Sequence, residues 1–227
     1  MSATPALALA IVISGRGSNM VAIARACASG QIRARVAGVI ADRQDAGGIA
    51  LARELRLPVA VVAAREFPDR EAFEGALRTA IEASGAQLVI LAGFMRILSP
   101  RFTQVFAGRM LNIHPSLLPR FPGLHTHERA LQEGAAEHGA TVHFVTADLD
   151  AGPLVLQARV AVRPGDTPAA LAARVQRCEH IIYPRVIGWI ADGRLEVRDG
   201  TVHLDGTPLT RPLLVDESAL APSPAPA

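Results

Sequence analysis

The sequence contains no lysine: all 23 of its basic residues are arginines. Without that amine there is no Schiff-base nucleophile, no covalent pyridoxal attachment and no phosphate-loop lysine. Cysteine is nearly as scarce. Cys27 and Cys178 stand far apart and outside any CxxC or Cys/His cluster, which argues against a disulfide framework or a structural zinc. A reducing, cytoplasmic setting is the matching expectation. The early apolar run "ALALAIVI" at 6–13 falls far short of the roughly 18 residues a membrane span needs. No Lys or Arg precedes it and a glycine loop follows, so it reads as a strand rather than a signal peptide, and no membrane partner is expected. A formal net charge of +2 is too small for a nucleic-acid platform. Asparagine occurs only as Asn19 and Asn112, each inside a motif-like segment, which suggests that both amides are needed.

Against these absences stands an ordinary globular balance: 227 residues, 50% apolar and 19% charged, enough for one good core. The first half alternates short apolar runs with segments of helical spacing. Strands are expected at 7–13, 36–41, 59–62 and 88–91, and helices at 19–29, 47–57 and 69–84, where Phe73, Leu77, Ala80 and Ile81 form one stripe. That order predicts an α/β fold with a doubly wound, mostly parallel sheet, whose ligands bind beyond the carboxyl ends of the strands. Further on, the pattern predicts a strand at 111–114, a helix at 127–133, and strands at 141–146 and 154–162. Thr167 should cap a long helix reaching about residue 190, with Pro184 kinking or interrupting it. Asp-Gly within "LEVRDGTVHLDG" predicts a hairpin. One domain is expected over 1–215, with halves at about 7–100 and 101–215. A disordered tail is expected at 216–227, where apolar content is low and proline recurs.

Three segments carry chemistry. "ISGRGSN" at 13–19 joins a strand to a helix; Gly17, Ser18 and Asn19 can cradle an anion on free backbone N–H groups. Met20 stands where a GxGxxG motif has its third glycine, against a dinucleotide site. A plain glycine turn with Ser18 or Asn19 capping the helix accounts for the same residues. In "LNIHPSLLP" at 111–119, Asn112 and His114 are two apart on an extended segment and share a face. An amide beside an imidazole can hold a developing oxyanion. Ser116 lacks a GxSxG elbow, which argues against a serine hydrolase. In "TADLDAGP" at 146–153, Asp148 and Asp150 suit either a proton-transfer carboxylate or turn capping. His125 and His127 form an HxH pair without a convincing third ligand, so no metal is expected.

Together with "LAGFMRILSP", "GLHTH", "GATVHFVTADLDAGPL" and "RVQRCEHIIYP", these segments closely resemble the phosphoribosylglycinamide formyltransferases of purine biosynthesis, over about residues 8–210. The resemblance implies the formyltransferase fold, Rossmann-like in its N-terminal half. It implies transfer of a formyl group from 10-formyltetrahydrofolate, a cosubstrate, to the amine of glycinamide ribonucleotide, in a monomer or homodimer. It assigns catalysis to Asn112, His114 and Asp150. It places the ribonucleotide on Gly17, Ser18, Asn19 and Glu179. The folate would lie on Arg70, Met95, Arg96, Ile97, Leu98, Asn112, His143, Thr146 and Asp150. Arg16 receives no role. A formyltetrahydrofolate hydrolase shares the central motifs but carries an added N-terminal domain, for which the residues before Leu7 leave no room. A non-enzymatic nucleotide-binding regulator would leave Asn112, His114 and Asp150 unexplained.

Overall fold

Strand β1 (Leu7–Ile13) sets the plan of the fold, because both of its faces are buried. Leu9, Ile11 and Ile13 join one core cluster and Ala10 and Val12 the other, so the strand reads as an unbroken apolar run. The structure, a computed structural model, describes residues 5–220. Helices α1 (Ser18–Ala28) and α2 (Gly48–Glu54) follow β1 and β2 (Ala34–Ala41) and cover the first face, contributing Met20, Ile23, Ile49 and Ala52. After β3 (Val59–Val61), α3 (Arg70–Ala83) covers the second face with Phe73, Leu77 and Ile81. Asp69 starts that helix by accepting the Ala72 N–H at 2.8 Å, the capping bond that its position before the stripe leads one to expect.

β4 (Leu88–Leu91), α4 (Pro100–Val105) and β5 (Met110–His114) complete a parallel set in the order β3-β2-β1-β4-β5. The chain reverses direction across the sheet between β1 and β4, which opens a crevice at their carboxyl ends. Beyond α5 (Thr126–Gln132), β6 (Glu137–Phe144) runs antiparallel to both β5 and β7 (Leu154–Ala161). The sheet is therefore mixed but mostly parallel.

Helix α6 (Pro168–Ala191) lies over the first face, with Thr167 accepting the Ala170 N–H at 3.2 Å and proline at its start. It runs on through Pro184 instead of breaking there. Ile182, Tyr183, Val186 and Ile187, on either side, are buried against the sheet, and that packing outweighs the one lost backbone bond. β8 (Leu195–Arg198) and β9 (Thr201–Leu204) form the expected hairpin, with Asp199 and Gly200 both at positive φ as a type I′ turn requires. The two-residue β10 (Thr207–Pro208) pairs with β9.

The expected tail needs correcting at its start. β11 (Leu213–Asp216) pairs parallel with β7, and α7 (Glu217–Leu220) follows. Leu220 is buried, and Glu217 lies within 4.0 Å of Arg163, Arg174 and Arg177. One apolar anchor and one acidic side chain facing three arginines hold a segment whose composition alone reads as disordered. Residues 221–227 of that tail lie outside the described residues. Among the described residues, no helix is long and apolar enough to cross a membrane.

Candidate active site

The loop after β1 is built for close backbone approach. Gly17 sits at φ 75°, and a Cβ there would meet the Gly48 Cα at 2.8 Å. The Gly15 carbonyl accepts the Gly48 N–H at 2.9 Å, which locks the loop against the start of α2. Gly17 is the cap residue of α1 and supplies no side-chain bond, so neither Ser18 nor Asn19 is the cap. The first N–H groups of α1 are thus left to whatever lies beyond the helix end. Gly17→Ala is expected to cost about 1–3 kcal/mol in stability, from left-handed strain plus the Gly48 contact. Chemical denaturation checks this, and an unchanged midpoint would show that the loop relaxes freely.

Around this loop stands a partly buried polar cluster, with Asn19 and Glu179 buried. Asn19 Nδ2 donates to Glu179 Oε2 at 2.8 Å, and Gln176 Nε2 donates to Ser18 Oγ at 3.1 Å. Asn19 Oδ1 has no hydrogen-bond partner among the described residues. Burial pushes the Glu179 carboxyl up, opposed by the Asn19 hydrogen bond and by the charge of Arg16, which gives that arginine a physical effect. Glu179→Gln is expected to raise the melting temperature at neutral pH. The raised pKa means that the folded chain holds this proton more tightly than the unfolded one. The stability it contributes is complete below the ordinary glutamate range and lost as pH rises through the folded value. Melting curves of the two proteins should agree in acid and separate toward neutrality. Parallel curves would refute the argument.

The second cluster follows from strand register. β5 and β6 place Asn112 directly opposite His143 and His114 opposite Thr141. Leu111 and Ile113 point into the core under α6, so Asn112 and His114 share the other face. The buried Tyr183 hydroxyl lies 3.0 Å from both the Leu91 and Leu111 carbonyls, pinning β4 to β5 beside Asn112.

Hydrogen bonding settles the state of His143. Its Nδ1 lies 2.9 Å from the Phe144 carbonyl, an obligate acceptor, so Nδ1 carries the hydrogen. Its Nε2 lies 3.1 Å from Asn112 Nδ2 and accepts from it. Burial lowers the His143 pKa, which agrees with this neutral ring. Since His143 takes one amide hydrogen of Asn112, the second is left for another acceptor.

His114 is arranged differently. Its Nε2 lies 2.8 Å from the Phe121 carbonyl and its Nδ1 3.3 Å from Asp150 Oδ2. Both nitrogens thus face oxygen atoms, Nε2 that of a backbone carbonyl and Nδ1 that of the Asp150 carboxylate. Asp150 Oδ2 also accepts the Gly123 N–H at 2.9 Å. Oδ1, 3.8 Å from His143 Nε2, makes no hydrogen bond among the described residues. Asp150 sits at φ 53°, a left-handed position that Asp tolerates better than most residues.

A cleft joins these groups. Its lining includes Arg96, Ile97, Leu98, Asn112, His143, Thr146 and Asp150 from the sequence reading, and adds Phe94, Thr103 and Val145. His114 is outside the lining, behind Asp150. Met95 is mostly exposed and lines a neighbouring cleft with Ser14 and Asp42, where its N–H donates to Ser14 Oγ at 3.1 Å. Arg96 borders both clefts and donates to Asp42 Oδ2 at 3.0 Å. Arg70 is the first residue of α3; it is exposed and lies in neither lining. The HxH pair separates: His127 Nδ1 contacts His138 Nε2 at 3.0 Å, and burial pushes His138 down to about 4.

The family model described as formyl transferase matches residues 7–187. The phosphoribosylglycinamide formyltransferase of Escherichia coli (strain K12) is 49% identical over 198 residues, covering 87% of this chain and 93% of that protein. The solved phosphoribosylglycinamide formyltransferase of Coxiella burnetii superposes with a TM-score of 0.88 at 46% identity, covering 92% of this chain and 99% of the other. A formyltetrahydrofolate deformylase from Pseudomonas putida KT2440 has a TM-score of 0.81 at 28% identity, with 90% and 72% covered.

Proposed function

Since the chain belongs to the formyl transferase family, we propose that it moves a formyl group from 10-formyltetrahydrofolate to the amine of glycinamide ribonucleotide in purine synthesis. The observation that carries the chemistry is the meeting of Asn112, His143 and Asp150 in one cleft, with His114 behind Asp150. The cleft takes the folate, with its walls at 94, 96–98 and 145–150. The ribonucleotide phosphate sits on the α1 start at Gly17, Ser18 and Asn19, and Gln176 and Glu179 hold that end from α6.

Transfer makes a bond between the amine nitrogen and the formyl carbon and breaks the bond from that carbon to the folate nitrogen. Between the two events the carbon is tetrahedral, with negative charge on its oxygen and positive charge on the entering nitrogen. The free amide hydrogen of Asn112, oriented by His143, donates to the oxygen. The free Oδ1 of Asp150 takes the proton that the amine must shed, and the proton passes on to the departing folate nitrogen. His114 acts through Oδ2: its ring fixes the carboxylate from behind, so that Oδ1 faces the amine and can take the proton.

Product analysis tests the proposal. With formyl-folate and glycinamide ribonucleotide together, the formylated ribonucleotide and tetrahydrofolate should appear in equal amounts. With formyl-folate alone, turnover should nearly cease. Formate released at the same rate with or without the ribonucleotide would instead make the chain a hydrolase, like the deformylase it resembles in fold.

A further inference from the structure

The segment between β5 and α5 supplies both contacts that hold the acid–base pair: the Phe121 carbonyl on His114 and the Gly123 N–H on Asp150. Its own backbone is irregular, with Phe121 and His125 at φ 54° and 58°. Such a loop does not find one conformation from local preference alone. Something outside it must fix the position of the Phe121 oxygen.

The fixing group lies on β7, away from the cleft. Gln157 is buried and donates from Nε2 to the Leu118 carbonyl at 2.7 Å and to Thr141 Oγ1 at 3.0 Å. Thr141 Oγ1 in turn donates to the Ser116 carbonyl at 2.6 Å and accepts the Leu118 N–H at 3.1 Å. The hydroxyl has one hydrogen and two lone pairs, and these three contacts use all of them. Leu117 is seated at the same place: a Cβ on Gly139 of β6 would lie 2.8 Å from its Cδ2. The backbone at 116–118 is therefore clamped to β6 and β7, and Phe121 follows three residues later. Ser116 Oγ continues the chain of contacts by donating to the Arg120 carbonyl at 2.6 Å, next to Phe121.

We propose that Gln157 is a positioning residue for the acid–base pair: its side-chain amide sets the 116–118 backbone, and through it the carbonyl that holds His114. The inference rests on the roles given above to His114 and Asp150. It predicts an effect on turnover from a side chain that touches neither cleft.

The test uses Gln157→Met, which keeps the length of the side chain and removes both hydrogen-bond donors. Ile81→Val, a buried change in the core on the other face, controls for lost stability. In the wild-type enzyme the His114 Nε2 proton should give a downfield resonance that exchanges slowly, because the Phe121 carbonyl accepts it. Gln157→Met should broaden that resonance by exchange and lower kcat about tenfold, with KM for both substrates unchanged. Ile81→Val should keep the resonance and kcat while melting at lower temperature. If Gln157→Met does not fold, Gln157→Asn, one methylene too short to reach both partners, is read in the same way. A resonance in the Gln157 variant as sharp as in the wild type overturns the proposal, whatever kcat does. The resonance does not depend on formyl transfer, so failure of the proposed reaction and failure of this inference are separable.

Discussion

Asp150→Asn should lower single-turnover formyl transfer by at least ~10²-fold while leaving the melting temperature almost unchanged. The reason lies in how the two carboxylate oxygens are used. Oδ2 receives the Gly123 N–H and faces His114 Nδ1, so it must remain an acceptor. An asparagine keeps that arrangement by placing its carbonyl oxygen there, which turns its NH2 group to the Oδ1 position. The oxygen proposed to take the proton from the attacking amine is then replaced by a donor. The reversed rotamer would set the NH2 against the Gly123 N–H and is disfavoured. Substrate binding should change little, since the residue's shape is kept, and the loss should appear in the chemical step. The measurement is formyl transfer with both substrates saturating, beside a thermal melt. Turnover within a few-fold of wild type would make Asp150 a turn residue, and the amine proton would then leave by another route.

What the sequence shows and hides in this molecule divides by physical cause. The parallel core is legible because β1 must be apolar on both faces, and only a strand covered on both sides by helices has that pattern. Asn112 and His114 are legible as a pair because two-residue spacing on a strand always shares a face. The register that sets Asn112 opposite His143 is not legible. It depends on an antiparallel pairing across a 22-residue connection, and no local pattern encodes that. Nor is the position of His114 behind Asp150, because the Phe121 and Gly123 contacts arise from loop conformation. Gln157 and Gln176 gave no signal: a lone glutamine in a strand or on a helix looks like any surface residue until its partners are known. The stretch at 216–220 misleads for the opposite reason, since composition has no access to the arginines waiting for Glu217.

His114→Ala should cost about 10²–10³ in turnover, the range for loss of one preorganised electrostatic contact at a reacting centre. Removing the ring leaves Asp150 Oδ2 with only the Gly123 N–H and leaves the Phe121 carbonyl without its donor. Some stability should therefore be lost as well, and the assay temperature must lie well below the melting point of the variant. The informative comparison is the double variant His114→Ala with Asp150→Asn. If the two residues act as one unit across the 3.3 Å contact between Nδ1 and Oδ2, each single change already disables the pair. The second change then removes little more, and the double variant should be no slower than the worse single variant by more than about tenfold. Independent roles would instead multiply, giving a combined loss of at least ~10⁴ from the two single losses. Single-turnover rates for the wild type, both single variants and the double variant form a closed cycle. A multiplicative result would separate the residues into different steps: Asp150 would keep the amine proton, and His114 would have to act on the oxyanion directly, which requires the Phe121 carbonyl to release its Nε2–H first.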